Sequence, residues 1–446
     1  MHDRGQEVIA LTYVCRGTWR EIFISRSSLW AEFSCLNGDK ARTYLERSNP
    51  SPINLWIDKK DNLSPHDPLL QIILHATGQL KSPSIEGTPG NLQGVTTSLS
   101  LSAPLLEDRS IDGGCQPNPA LMSKLFNGDP SSLRKLCLRS AHTELPWRGM
   151  ANLTSLTLGS TTPGDVSVLL DFFESAPRLR EVLISTTSTP GAQEGRLVLL
   201  ASLERIYVLG SGTCSLLLDQ LLTPVDASLT TRVDIHSPGP RGYFPRYPGN
   251  LKNLSDFTKT KIYFNKNLSE IQFTGPNGQV TVVCVAPEAS LTYSALAHLA
   301  QFDTSKTERL EIHYSNTPSR VLPYQTLLPM TKLCTLVLYR CSDLCTFVDA
   351  LRPERSLQEP LICPGLEELI LDLSAEGGRF GIQSVVAVAA VRAQSGAGLK
   401  SVKIVGRLNA FVRKDVLESK GYVPQVECGP EVAELADGGG DGAGSG

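Results

Sequence analysis

Apolar residues along this chain fall again and again into one spacing. The template is L-x-x-L-x-L, in which the last two positions alternate as they do on one face of a β-strand. It occurs as Leu133-Leu136-Leu138, Leu153-Leu156-Leu158, Leu179-Val182-Ile184 and Leu203-Ile206-Val208. It returns as Leu268-Ile271-Phe273, Leu333-Leu336-Leu338, Leu366-Leu369-Leu371 and Leu399-Val402-Ile404, with a weaker copy at Thr307-Leu310-Ile312. Between the strands lie segments with helix-like spacing: 119–126, 165–175, 214–222, 293–302 and 344–351. In the second, Asp165 opens the first turn and Pro177 marks the stop.

The first four copies start 20, 26 and 24 residues apart, and the later ones, from Thr307, 26, 33 and 33 apart. Most of these spacings lie in the range of about 20–29 residues typical of leucine-rich repeats. A strand, a turn and an antiparallel helix cannot bury an apolar face alone, so neighbouring units must stack. The expected fold is therefore α/β, a leucine-rich-repeat solenoid (horseshoe) over residues 37–428. Two early copies carry a misfit. Pro83 stands at a core position in Leu80-x-x-Pro83-x-Ile85, where it removes a ladder donor, and Arg109 stands at the same position in Leu106-x-x-Arg109-x-Ile111. Burying an unpaired arginine is costly, so Arg109 is expected to snorkel or to shift the register. Residues 237–266, rich in Pro, Gly and Tyr, read as an irregular insertion. Residues 429–446 read as a disordered Gly-rich tail.

If the leucines face inward, the residues between them line the other face of the strands. Arg139, Arg205, Tyr207, His313 and Tyr339 are the anchors there that suit a protein partner. Composition points the same way: 42 Lys plus Arg against 45 Asp plus Glu give a formal net charge of −3, with no single-sign field for nucleic acid or a membrane surface. The start lacks a secretory apolar core. The most apolar run, 385–391, is far short of the roughly 20 residues that span a bilayer. Eleven scattered cysteines are expected as reduced thiols in a cytoplasmic or nuclear protein.

Motifs for chemistry are weak. Residues 159–165, GSTTPGD, have the glycine spacing of a phosphate loop without its Lys and Ser/Thr. Cys341 and Cys345, with Cys334 and Cys363 near, lack the paired spacing of a zinc site. GAGSG at 442–446 has no strand or helix to form a nucleophile elbow. Glu367 and Glu368 are adjacent on a strand and point to opposite faces. No catalytic residue, metal or cofactor is expected, and the chain reads as a non-enzyme.

The N-terminal segment carries its own pattern. Val8, Leu11, Cys15, Trp19 and Ile22 fall on one helical face, with a break expected near Arg16–Thr18, where Gly17 costs about 1 kcal/mol relative to Ala. Ser27-Ser28 reads as a turn or N-cap before Leu29-Trp30. The words Val14-Cys15-Arg16, Trp19-Arg20 and Ser27-Ser28-Leu29-Trp30 resemble the back half of an F-box, closest to the F-box-like proteins of large fungal (basidiomycete-type) families. In those, a short helix and Ser-x-Pro-Ile/Leu-x-Leu come next, matched here by Tyr44-Leu45 and Ile53-Leu55-Ile57. The Leu-Pro helix that opens such modules has no match upstream of Glu7, and Gly17-Thr18 adds one residue between Cys-Arg and Trp-Arg. That residue rotates the downstream part of a helix by about 100°, so residues 1–36 read as a partial F-box-like segment.

The resemblance implies a substrate-recognition subunit of a Skp–cullin–F-box ubiquitin ligase. Its partners would be a Skp-type adaptor, through it a cullin, and a protein target held by the repeats. Leu11, Val14, Cys15, Trp19, Ile22, Leu29 and Trp30 would meet the adaptor. The alternative is a leucine-rich interaction scaffold whose F-box is vestigial.

Overall fold

The computed structural model describes residues 17–34, 38–57, 68–87, 103–113, 131–139, 150–159, 166–186, 196–210, 221–222, 231–238, 256–265, 268–276, 278–285, 299, 302–314, 327–340, 348, 351, 361–372, 378–405 and 421–429. The chain divides into two compact units, the first 1–227 with 248–252, the second 228–247 with 253–446.

The first unit opens with α1 (Thr18–Ser25), a 3-10 turn (Ser27–Trp30), β1 (Glu32–Ser34), α2 (Gly38–Ser48), β2 (Ile53–Ile57), α3 (Pro68–His75) and β3 (Leu80–Glu86). Gly17, at φ +69°, is the N-cap of α1, which is the break the sequence predicts. There follow β4 (Asp108–Asp112), β5 (Lys135–Arg139), β6 (Ser155–Gly159), α4 (Val166–Ser175), β7 (Glu181–Thr186), β8 (Val198–Leu199), β9 (Arg205–Gly210) and β10 (Leu221–Leu222). Strands β1 to β7 and then β9 pair in chain order, each parallel to the next. β8 and β10 form a separate parallel pair, so the end of the helix expected over 214–222 is strand. α4 buries Leu169, Leu170, Phe172 and Phe173 and leaves Asp171 and Glu174 outside for Arg196.

The register explains the template. Leu136, Leu156, Val182 and Ile206 stand opposite one another across β5, β6, β7 and β9. All four are buried, so the row is a continuous apolar seam and each side chain contributes about 1.5–3 kcal/mol by leaving water. The structure also lengthens the template by one position. A buried residue lies three before the first leucine and accepts the hydrogen bond that closes a turn: Leu153 N–H to Met150, Leu179 to Ala176, Leu333 to Met330, Leu366 to Cys363. Just beyond that leucine, successive N–H groups converge on one carbonyl at the entry to the preceding strand, as Arg180 and Glu181 do on Thr154.

The two misfit copies resolve differently. Pro83 is buried in β3, which carries a register shift against β2 between Ile53 and Asn54 and pairs with β4 only from Ser84 onward. Arg109 neither snorkels nor slips. It sits opposite Leu136 in regular register, 7 % exposed.

The second unit contains β11 (Thr231–Pro238), β12 (Lys259–Asn265), β13 (Leu268–Gly275), β14 (Gly278–Val285), β15 (Arg309–Tyr314), β16 (Thr335–Tyr339), β17 (Glu368–Asp372), α5 (Gly378–Gln394), β18 (Ser401–Val405) and β19 (Gln425–Gly429). β12, β13 and β14 form an antiparallel meander, β11 lies parallel to β14, and β12 lies parallel to β15. From β15 to β19 the strands pair parallel in chain order. Two expectations change here. Leu268-Ile271-Phe273 is the middle strand of the meander, not a parallel repeat. The second half of the expected insertion is β12, with Phe257, Thr260 and Ile262 buried as a further copy of the template; 239–255 lie outside the described residues. Gly275 permits the meander, because a Cβ there would stand 2.5 Å from the Asp256 carbonyl oxygen.

Helix α5 ends in a Schellman motif. Gly396, at φ +74°, donates to the Ala393 carbonyl and Ala397 to that of Arg392. The Arg392 side chain, 0 % exposed, turns back on the loop before β17 and donates to the carbonyls of Ile362 (3.0 Å), Cys363 (2.8 Å), Pro364 and Leu366 (3.4 Å each). The fold shown is thus mixed α/β, with runs of parallel strands and few helices among the described residues. No described helix is long and apolar enough to cross a membrane.

Candidate functional site

The side chains that converge most closely lie on one face of β12, β15 and β16. Parallel pairing puts Lys259, Arg309 and Thr335 in one row, Lys261, Glu311 and Val337 in the next, and Tyr263, His313 and Tyr339 in the third. The alternate residues Ile262, Leu310, Ile312, Leu336 and Leu338 are buried on the opposite face. Period-two alternation therefore delivers every polar member of the site to one side.

Strand spacing of about 4.8 Å is close to ring stacking distance. The Tyr263 and His313 rings lie 4.5 Å apart and those of His313 and Tyr339 4.2 Å apart, each pair inclined by 21°. The three rings form one stack across three strands. Beside it Glu311 is only 6 % exposed. Its carboxylate receives Lys259 Nζ at 2.9 Å, Arg309 Nε at 2.7 Å and Lys261 Nζ at 3.1 Å. His313 Nε2 is 3.7 Å away, beyond hydrogen-bond length. Burial would raise the Glu311 carboxyl, but His313, Lys259, Arg309 and Lys261 outweigh it and hold the group well below the usual carboxylate range. For Lys261, burial is outweighed by Glu311 and Tyr263, and the amine is raised. Burial, followed by the Glu311 charge, raises Tyr339.

The arrangement is poorly suited to proton transfer. A carboxylate held so firmly ionised is a poor proton acceptor, and Tyr339 keeps its proton at neutral pH. The stack offers rigid rings that lose little entropy on contact, and three cations share one carboxylate, leaving further N–H donors. Glu270 and Gln272 on β13, joined by a 2.5 Å hydrogen bond, border it, as does Glu368, which accepts from Thr335 Oγ1 at 3.1 Å. The surface is thus of mixed charge.

The five anchors nominated from sequence fall in two places. His313 and Tyr339 meet in this site. Arg139, Arg205 and Tyr207 lie in the first unit: Arg139 is exposed with its stem against Gly159, Arg205 pairs with Glu181 at 3.0 Å, and Tyr207 is half-buried. Lys259, Lys261 and Tyr263 escaped nomination because Pro and Gly upstream made their segment read as a loop. The signal present was Lys-x-Lys-x-Tyr, in period two with Thr260 and Ile262.

Of the adaptor set, Leu11, Val14 and Cys15 lie outside the described residues. Trp19 and Ile22 are on α1, Ile22 39 % exposed, and Leu29 is half-buried in the 3-10 turn. Trp30 is fully buried, its ring 5.1 Å edge-on from Tyr44 and 4.4 Å from the Arg47 guanidinium. Its ring is a core element of the helical cluster rather than a surface anchor.

Cys334 and Cys363 donate to the carbonyls of Glu308 and Leu327. Burial pushes the Cys363 thiol up to about 12, against the opposing charge of Arg392. Cys341, Cys345 and 160–165 lie outside the described residues, among which no His, Cys, Asp and Glu cluster is arranged to hold a metal. A search of protein-family models finds none that matches this chain, and a search of curated proteins finds no match.

Proposed function

We propose that the chain is a substrate-recognition subunit of a Skp–cullin–F-box type ubiquitin ligase, built as a leucine-rich-repeat solenoid behind a short F-box-like segment. The observation that carries the recognition half is the Tyr263–His313–Tyr339 stack beside the caged Glu311. It is a preformed aromatic and charged surface on regular strands, the kind of anchor cluster that dominates protein interfaces. The ligase half rests on the wording of residues 14–30. In this reading α1 presents Ile22 to a Skp-type adaptor and thereby a cullin, and the stack holds the target protein. The chain performs no chemistry; it raises the effective concentration of the target near the ubiquitin-loaded enzyme. It works in the cytoplasm or nucleus.

The full burial of Trp30 favours a second reading, in which the N-terminal helices only close the end of the sheet and the chain is an interaction scaffold with a vestigial F-box. Both readings share the target surface. Proteins that co-purify with the chain should include one lost on Tyr263→Ser/Tyr339→Ser substitution and retained on Arg139→Ser/Arg205→Ser substitution. If every partner survives the tyrosine substitutions, the stack is not the recognition surface.

A further inference from the structure

The first unit carries a second concave feature, away from the strand faces. A groove of about 940 Å³, open to solvent, runs along the N-terminal ends of its parallel strands. Its walls come from the short stretches that enter successive strands. From Pro52 before β2 to Ser202 before β9 these cross six strand spacings, or about 29 Å. That matches an extended peptide of about nine residues at roughly 3.3 Å each.

The lining is one-sided in charge. Lys81, Arg134, Arg178 and Arg180 face a single lining acid, Glu107. Lys81 pairs with Glu107 at 3.3 Å and Arg180 with Glu204 at 3.4 Å, both between partly exposed groups whose pairing solvent weakens. Arg178 donates to the Asn152 side-chain oxygen at 2.9 Å. Arg134 is exposed and has no acidic partner among the described residues. The backbone is already satisfied, since the carbonyls of Glu107, Arg134, Thr154 and Arg180 each accept two N–H groups from the following strand. With those carbonyls occupied, side chains are left to read a ligand, and three of the four lining cations are guanidinium forks suited to carboxylates.

We infer that this groove binds an extended, Asp- and Glu-rich segment of a protein partner. Such a segment lies across the strand ends and places carboxylates on Arg134 and Arg178, drawing Lys81 and Arg180 from their weak surface pairs. The site is independent of the ring stack in the second unit.

Fluorescence anisotropy on the full chain tests this with three labelled peptides of about ten residues, one Asp/Glu-rich, one Lys/Arg-rich and one Gly/Ser-rich. The acidic peptide should bind at low salt, and its affinity should fall steeply as salt rises. Arg134→Glu/Arg178→Glu should weaken it at least about tenfold, whereas Tyr263→Ser/Tyr339→Ser should leave it unchanged. Should charge reversal disturb folding by circular dichroism, Arg134→Ser/Arg178→Ser is the substitute, with the same direction expected. The inference is overturned if the acidic peptide binds no better than the neutral one, or if the folded arginine variants bind it as the parent does.

Discussion

Arg109 in the first unit and Arg392 in the second are both buried, and they are buried in different company. Arg109 takes a leucine position in β4, and burial lowers its pKa to about 9. Arg392 is lowered by burial too, yet its guanidinium ties together four carbonyls of one turn. The strand faces repeat the contrast. In the first unit Lys135–Asp108 (3.8 Å) and Arg205–Glu181 (3.0 Å) are exposed one-to-one pairs. In the second, one buried carboxylate collects three cations. A charge inside a protein stabilises it only where several partners converge, because desolvation otherwise cancels the attraction. The same convergence stiffens the surface beside Tyr263, His313 and Tyr339, which is why we propose that face of the second unit as the recognition surface.

The largest effects should separate the two arginines. Arg392→Leu takes one shared donor from four carbonyls, of which that of Cys363 keeps the Leu366 N–H, and should cost about 3–5 kcal/mol in urea unfolding. Arg109→Leu exchanges a desolvated guanidinium for an apolar side chain beside Leu136 and should cost at least about 1 kcal/mol less than Arg392→Leu. Equal losses from both would erase the distinction. Next, Glu311→Ala strands three crowded cations and should cost about 3 kcal/mol, against less than about 0.5 kcal/mol for Glu181→Ala. The acid limb of the stability curve is a smaller, sharper check. The Glu311 pKa is lower in the folded than in the unfolded chain, where it lies near 4.5. Its contribution is therefore complete above about pH 4.5 and declines as pH falls below that. Between pH 6 and pH 3 the parent should lose up to about 2 kcal/mol more than Glu311→Gln. The smallest effect is Tyr339→Ser, which should change stability by less than about 1 kcal/mol while weakening a target of this face at least about tenfold.

Much of the architecture is legible in the chain because its code is local. Leu153-x-x-Leu156-x-Leu158 states both the turn and the strand, and the same reading holds from β5 to β7, at β9 and from β15 to β18. It fails where apolar alternation serves another pairing. Leu268-Ile271-Phe273 has the right spacing but belongs to an antiparallel meander, since two-residue periodicity carries no strand direction. β12 was hidden for the opposite reason, its alternation plain but its neighbourhood rich in Pro and Gly. His313 and Tyr339 were visible as ring-bearing outward positions. Their union with Tyr263 was not, since it depends on β12 pairing directly with β15 across 43 intervening residues, 266–308. Arg392 left no trace in the pattern, because four carbonyl acceptors are invisible in a sequence.

The most direct test of the account is binding between the purified chain and a fungal Skp adaptor in solution. Calorimetry should compare the parent with Ile22→Asp, which alters an exposed position of α1 and spares the buried Trp30. The account predicts a stoichiometric complex with the parent and its loss with the variant, both equally folded. A folded parent that leaves the adaptor unbound, or a variant that binds as well as the parent, would contradict it.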